Sequence, residues 1–235
     1  VLYLYGIIDS PEPIYYTCSG RNIYTLAYND ISALVSRGDG PMTRVTGENV
    51  IIHGEVLNGI VEKQALLPVR FGTLLGGGDV EGLLSRNYHQ FLASLNEVRG
   101  MVEMSVRALW NAAEEEEKCR QGNDFSDPRE DLPGNPGTLF LMQKRRQLLL
   151  ERCLKSAAGI PADEIHGWLS RAAVKHIKRV LPSPAMFFHG SYMINRERAG
   201  DFAAEFSSLR DKFTRYKFLL SGPWPLYSFV SLNCR

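Results

Sequence analysis

The chain has 235 residues, 44% hydrophobic and 23% charged, with a formal net charge of +1. That length and balance describe an ordinary globular chain of one large or two small domains, and they lack the overall basic excess that marks a nucleic-acid binder. No stretch approaches the roughly 18 uncharged apolar residues of a membrane-spanning helix, and the opening VLYLYGI has no basic leader, so it reads as a strand and not as a signal peptide.

Taken in chain order, Val1–Ile8 is an apolar, aromatic strand. Asn22–Tyr28 and Ile31–Ser36 read as two more, joined by Asn29-Asp30, a pair suited to a tight hairpin turn. A helix is expected from about Gly47 to Ala65, with His53, Val56, Leu57, Ile60 and Val61 on one stripe and Pro68 as its stop. Gly76–Gly78 reads as a mobile connection. Val80–Leu84 and Tyr88–Leu95 read as two short helices.

After Gly100, Val102, Met104, Val106 and Ala108 alternate with Glu103, Ser105 and Arg107, which predicts a half-buried strand. Glu114–Glu117 is a solvated acidic run, and residues 121–137 form a flexible loop rich in Gly, Pro, Asn and Asp. Helices follow over Leu139–Ala158, ended by Gly159–Pro161, and over Ala162–Val180. On the second, Arg171, Lys175, Lys178 and Arg179 fall on one basic arc. Ala185–Phe188 and Ser191–Asn195 read as strands around a His189-Gly190 hairpin. Arg198–Lys212 reads as a helix, Arg215–Leu220 as a last strand and Gly222–Pro225 as a rigid turn.

The fold class is therefore α+β with two domains. Residues 1–99 form an N-terminal α+β domain. Residues 100–235 run strand, helices, strand, strand, helix, strand, the split β-α-β order of a modified ferredoxin-like fold.

Chemistry-bearing spacings are sparse. No two of the five histidines are spaced as a helical metal pair, and neither a G-x-S-x-G elbow nor a P-loop ending is present. His53 reads as a histidine with a hydrogen-bonded ring inside a helix core. Cys18, Cys119, Cys153 and Cys234 are scattered with no CxxC pair, so free thiols in a reducing cytoplasm are expected. The basic arc is a solvated face or a dock for an acidic protein surface. An RNA-binding reading would need Phe187 and Phe188 exposed on an open sheet, and an enzyme of unrecognised type would need a deep pocket with converging polar groups.

Two stretches stand apart. In LLPVRFGTLL, Pro68 and Gly72 bracket Arg70 and Phe71, so the guanidinium is held either as an internal clamp or for partner recognition. In SGPWPLYSFV, Trp224 lies between two prolines, with Tyr227 and Phe229 beyond, either packed back on the protein or offered as partner anchors.

Both stretches closely resemble signature segments of the gas vesicle protein F/L family (GvpF/GvpL). Tyr3–Ile7 is similar to the family's opening strand, and His53 precedes its helix into the PVRFG segment. Gly137–Arg146 resembles its glycine-led helix with a Lys/Arg cluster. Phe218–Ser221, before the Gly-Pro-Trp-Pro turn, departs from the family pattern. The resemblance covers essentially the whole chain. It implies a non-enzymatic accessory protein of gas vesicles in the cytoplasm, a minor structural component or an assembly factor, with two α+β domains, the second a modified ferredoxin fold. Its partners would be the major shell protein and other accessory proteins, with no cofactor, metal, nucleic acid or lipid membrane involved. Arg70, Phe71, Trp224, Tyr227, Phe229 and the basic residues Arg171, Lys175, Lys178 and Arg179 are the candidate partner-binding or structural residues.

Overall fold

The computed structural model describes residues 1–38, 44–122, 135–181, 183–230 and 232. By packing, the chain forms two compact units. The first comprises Val1–Met104, Met193–Ala199 and Gly222–Arg235; the second comprises Ser105–Tyr192 and Gly200–Ser221. The secondary structure is mixed α+β throughout.

The first unit is built on a six-stranded sheet. Its strands are β1 (Leu2–Ile8), β2 (Tyr15–Cys18), β3 (Arg21–Tyr28), β4 (Ile31–Arg37), β5 (Leu66–Pro68) and β6 (Leu74–Leu75), in the order β2-β3-β4-β1-β5 with β6 also on β1. β1 is apolar on both sides because each sheet face carries a buried cluster. Tyr3, Tyr5 and Ile8 join Val56, Leu57 and Ile60 of α1 (Gly47–Val61), while Leu4 and Ile7 join Val80, Leu84, Phe91 and Leu95 of α2 (Gly77–Val98). Strict alternation would put Ile7 with Tyr3 and Tyr5. A register shift between Leu4 and Gly6 moves it to the other face. A side chain at Gly6 would meet the Leu67 carbonyl oxygen at 2.7 Å, so the close approach of β1 and β5 at this position requires glycine.

Several expected boundaries move. The hairpin turn is at Asn29, whose φ is 50°, but a short strand, β2, precedes β3. α1 starts at a Thr46 cap that accepts from Asn49 N–H and ends at Val61, four residues early. Leu66–Pro68 then pairs with Gly6–Ile8, so Pro68 closes a strand, not a helix. Gly77 and Gly78 are helical, and the two short helices are one. Asp79 accepts from Gly76 N–H at the start of α2, and the stripe Val80, Leu83, Leu84, Phe91, Leu95, Val98 runs unbroken past the polar Ser85–Asn87.

The second sheet has the order β10-β7-β9-β8, from β7 (Met101–Leu109), β8 (Lys175–Val180), β9 (Met186–Asn195) and β10 (Lys217–Trp224). β7 is a strand as expected but not a half-buried one, because Glu103 and Ser105 of its polar side are buried, at 6% exposure each, and Arg107 alone on that side is exposed. α3 (Ala112–Arg120) covers the acidic run, and Glu115 is buried against Arg215 and Lys118. α4 (Pro136–Leu169) passes through Pro161 without ending, because Ala158, Ala162, Ile165 and Leu169 continue its buried stripe. Residues 123–134 of the expected loop lie outside the described residues.

β9 is one strand through His189-Gly190, not a hairpin, and the expected turn at Gly222–Trp224 belongs to β10. α5 (Ala199–Lys212) buries Phe202, Phe206 and Leu209 as its stripe predicts. The expectation of free thiols is corrected at one pair. Cys119 and Cys153 form a disulfide between α3 and α4, Cα atoms 5.9 Å apart. Cys18 is free, and Cys234 lies outside the described residues.

Candidate functional site

The PVRFG segment is folded onto β1 by its backbone. Val69 N–H donates to the Tyr5 carbonyl at 3.0 Å. The Arg70 carbonyl accepts from Thr73 N–H and Oγ1 at 3.3 and 2.7 Å, closing a tight turn. Gly72 takes φ 84° in that turn, a conformation that suits a residue without Cβ, and its N–H reaches the Tyr3 hydroxyl at 3.0 Å. The same hydroxyl is hydrogen-bonded to Nδ1 of His53, at 2.9 Å, and which of the two atoms donates is set by the tautomer of the ring.

His53 is 3% exposed. Burial pushes its pKa down to about 4, opposed by the Val69 backbone. Nε2 nevertheless makes no well-formed hydrogen bond among the described residues. Four aromatic rings surround the imidazole, and Tyr3, its hydrogen-bond partner, is one of them, edge-on at 5.8 Å between centroids. Tyr5 stacks at 5.4 Å between centroids, Phe71 stands edge-on at 5.7 Å, and Tyr227 lies tilted at 6.4 Å. Burial also pushes the Tyr3 phenol up to about 12.

Tyr227 brings in the second stretch. Pro225 and Leu226 are buried, with Leu226 in the α2-side cluster beside Phe229. Phe229 and Val230 N–H both donate to the Leu226 carbonyl. The buried Glu103 carboxylate accepts from Ser228 N–H at 2.9 Å and from its hydroxyl at 2.6 Å, which pins the segment. Tyr227 is 43% exposed as a residue. Its ring packs at His53, and burial, then the nearby Tyr3, raise its pKa. Trp224 is 42% exposed.

Phe71 and Tyr227 thus meet at His53. Arg70 stands exposed and, among the described residues, makes no ion pair or side-chain hydrogen bond. The spacing of Tyr3, Tyr5 and His53 gave no sign of this enclosure. Glu103 looked like one more residue of a solvated strand face.

The basic arc does not exist as a helix face. Arg171 lies in a single 3-10 turn, Ser170–Ala172, and Lys175, Lys178 and Arg179 lie on β8. A two-residue period puts Lys175 and Arg179 on one side and Lys178 on the other with His176. Lys178 pairs with Asp163. His176 Nδ1 is 3.0 Å from His166 Nε2, and burial, then His176 and Lys178, lower the His166 pKa. Phe187 and Phe188 are both fully buried. Among the described residues, no group of three His, Cys, Asp or Glu side chains is placed to hold a metal, and no helix is long and apolar enough to cross a membrane.

A family model described as gas vesicle synthesis protein GvpL/GvpF matches residues 1–231. Gas vesicle protein F1 of Halobacterium salinarum is 22% identical, over 99% of this chain and 93% of its own length. Gas vesicle protein F of Haloferax mediterranei is 23% identical, over 99% and 94%. In fold, the chain is similar to the crystal structure of gas vesicle protein GvpF from Microcystis aeruginosa, with a TM-score of 0.79, 19% identity and coverage of 98% and 99%.

Proposed function

This chain belongs to the GvpL/GvpF family of gas vesicle synthesis proteins, with a role accessory to gas vesicle assembly, and we propose that it acts by holding the shell protein on the surface its two signature segments build. The observation that carries this reading is the meeting of Phe71 and Tyr227 at His53, with Arg70, Trp224 and Tyr227 left exposed in the same two segments. A half-exposed aromatic on a rigid base and an exposed guanidinium each have the character of an interface anchor.

A shell that keeps liquid water out of a gas space needs subunits with a strongly apolar side. Before assembly such a side pairs indiscriminately. A protein that covers it and releases it to the growing shell supplies binding, without a catalytic step. The place of work proposed is the gas vesicle within the cytoplasm. The strand order β10-β7-β9-β8, with helices between β7 and β8 and between β9 and β10, favours reading the second unit as a modified ferredoxin-like fold.

The test is capture of purified shell protein by the wild type, Tyr227→Ala, Trp224→Ala and Arg70→Ala, each checked by circular dichroism. Loss of capture in a folded variant is expected. Undiminished capture by all three would move the contact surface elsewhere, and no capture by wild type would sink the direct role.

A further inference from the structure

The edge strands β8 and β2 are built on opposite plans. β8, at one end of the four-stranded sheet, reads KHIKRV and carries Lys175, Lys178 and Arg179, the cationic guard that discourages edge-to-edge pairing. β2, at one end of the six-stranded sheet, reads YYTC, with no charge and no proline in its span. The β2–β3 ladder settles which of its backbone groups are left over. Thr25 N–H donates to the Ile14 carbonyl at 3.2 Å, so Ile14, and by the two-residue period Tyr16 and Cys18, turn their polar groups toward β3. Tyr15 and Thr17 turn their N–H and C=O outward.

A cavity of about 520 Å³ adjoins this edge, lined in part by Tyr15, Asn22, Tyr24 and Arg37. The register explains why these four share a face. Tyr15 pairs with Tyr24, Tyr24 pairs with Val35, and Asn22 and Arg37 are each two residues along from one of these. Tyr15 is 70% exposed. Arg37 is exposed and has no acidic partner among the described residues. Arg21 also borders the cavity, and its buried Nε has no hydrogen-bond partner among those residues. The nearby carboxylate of Glu55 is engaged by the Ser19 hydroxyl at 2.9 Å.

We propose that the β2 edge is a strand-addition site, taking an extended segment of a partner protein that bears a carboxylate over the cavity. Four residues of edge supply few backbone hydrogen bonds. The side-chain pocket adds the rest, as strand-addition sites commonly do. The phenol rings of Tyr15 and Tyr24 flank the incoming side chain, and Arg37 and the Asn22 amide meet its charge. A second copy of this chain fits poorly, because it would bring Arg21 and Arg37 against their own like. The surface shares no residue with that proposed for the shell protein and does not rest on it.

The test uses fluorescence anisotropy with the full chain and two labelled peptides of alternating threonine and valine, one with central glutamates and one with lysines in their place. Wild type is expected to bind the glutamate peptide at least about fivefold more tightly. Thr17→Pro removes an outward N–H while sparing the β3 ladder, and binding should be lost. Arg37→Glu should reverse the preference toward the lysine peptide, a gain that a misfolded variant would not show. Undiminished binding by Thr17→Pro, or no binding of the glutamate peptide by wild type, overturns the proposal. So does self-association of the wild type that Thr17→Pro abolishes, since the occupant would then be a second copy.

Discussion

The Tyr3 hydroxyl stands between the Gly72 N–H at 3.0 Å and Nδ1 of His53 at 2.9 Å, so one oxygen ties the PVRFG turn to α1. Tyr3→Phe would leave a backbone donor and a ring nitrogen without their partner, while keeping the ring's packing. A loss of about 2–3 kcal/mol is expected, read by urea denaturation. A loss below about 0.5 kcal/mol would show that water or a shifted turn replaces the link.

His53 adds a pH dependence. Its ordinary value is 6.5, and burial lowers it to about 4 in the folded chain. The unfolded chain therefore takes up the proton first as pH falls. The stabilisation is full above 6.5 and is lost between 6.5 and 4, up to about 3 kcal/mol. His53→Phe should flatten this part of the stability profile relative to wild type. Parallel profiles for the two proteins would refute the assignment.

Glu103 acts on the second stretch from inside the protein. Its carboxylate holds both the N–H and the hydroxyl of Ser228, so Glu103→Ala should cost about 2–3 kcal/mol and expose residues 225–230 to limited proteolysis. Shell-protein capture should fall as it does for Tyr227→Ala, although Glu103 itself is buried. Intact capture with a loosened segment would separate Tyr227 from the binding surface.

Gly222 admits no side chain. It takes φ 122°, and a Cβ there would meet the Glu103 carbonyl oxygen at 2.6 Å and the Met104 sulfur at 3.0 Å. Gly222→Ala combines a clash with an unfavourable backbone conformation, and a loss of about 2 kcal/mol or more is expected. A thermal midpoint equal to wild type would show that β7 and β10 can separate freely at this point.

The disulfide joins cysteines 34 positions apart. Closing a loop of that size should be worth about 4 kcal/mol through the unfolded state. Urea denaturation with and without reductant measures it, and Cys153→Ser should match the reduced wild type. Alkylation of Cys119 and Cys153 in unreduced protein would show instead that the pair stays open.

Much of the first unit was legible because period and composition agree there. β1, β3, β4 and the stripe of α1 carry apolar residues at the spacing their burial requires. Local rules fail where tertiary packing overrides them. Pro161 lacks the N–H that would bond to the Ala157 carbonyl, yet the helix persists because Ala158 and Ala162 stay buried on either side of it. Lys175, Lys178 and Arg179 fit a helical arc as well as they fit an edge strand, and only pairing with β9 decides between them. Each half of the candidate site was visible in LLPVRFGTLL and SGPWPLYSFV. Their meeting was not, because residues 71 and 227 are joined through long-range packing that no local spacing encodes.

The first unit is assembled from three separated stretches of chain, and Leu226 lies in one of its core clusters. During synthesis, its opening sheet emerges from the ribosome long before the residues that complete its core. The nascent protein must carry that unfinished core while nearly all of the second unit is translated. A stop codon at position 222 would therefore damage the end of the molecule made first.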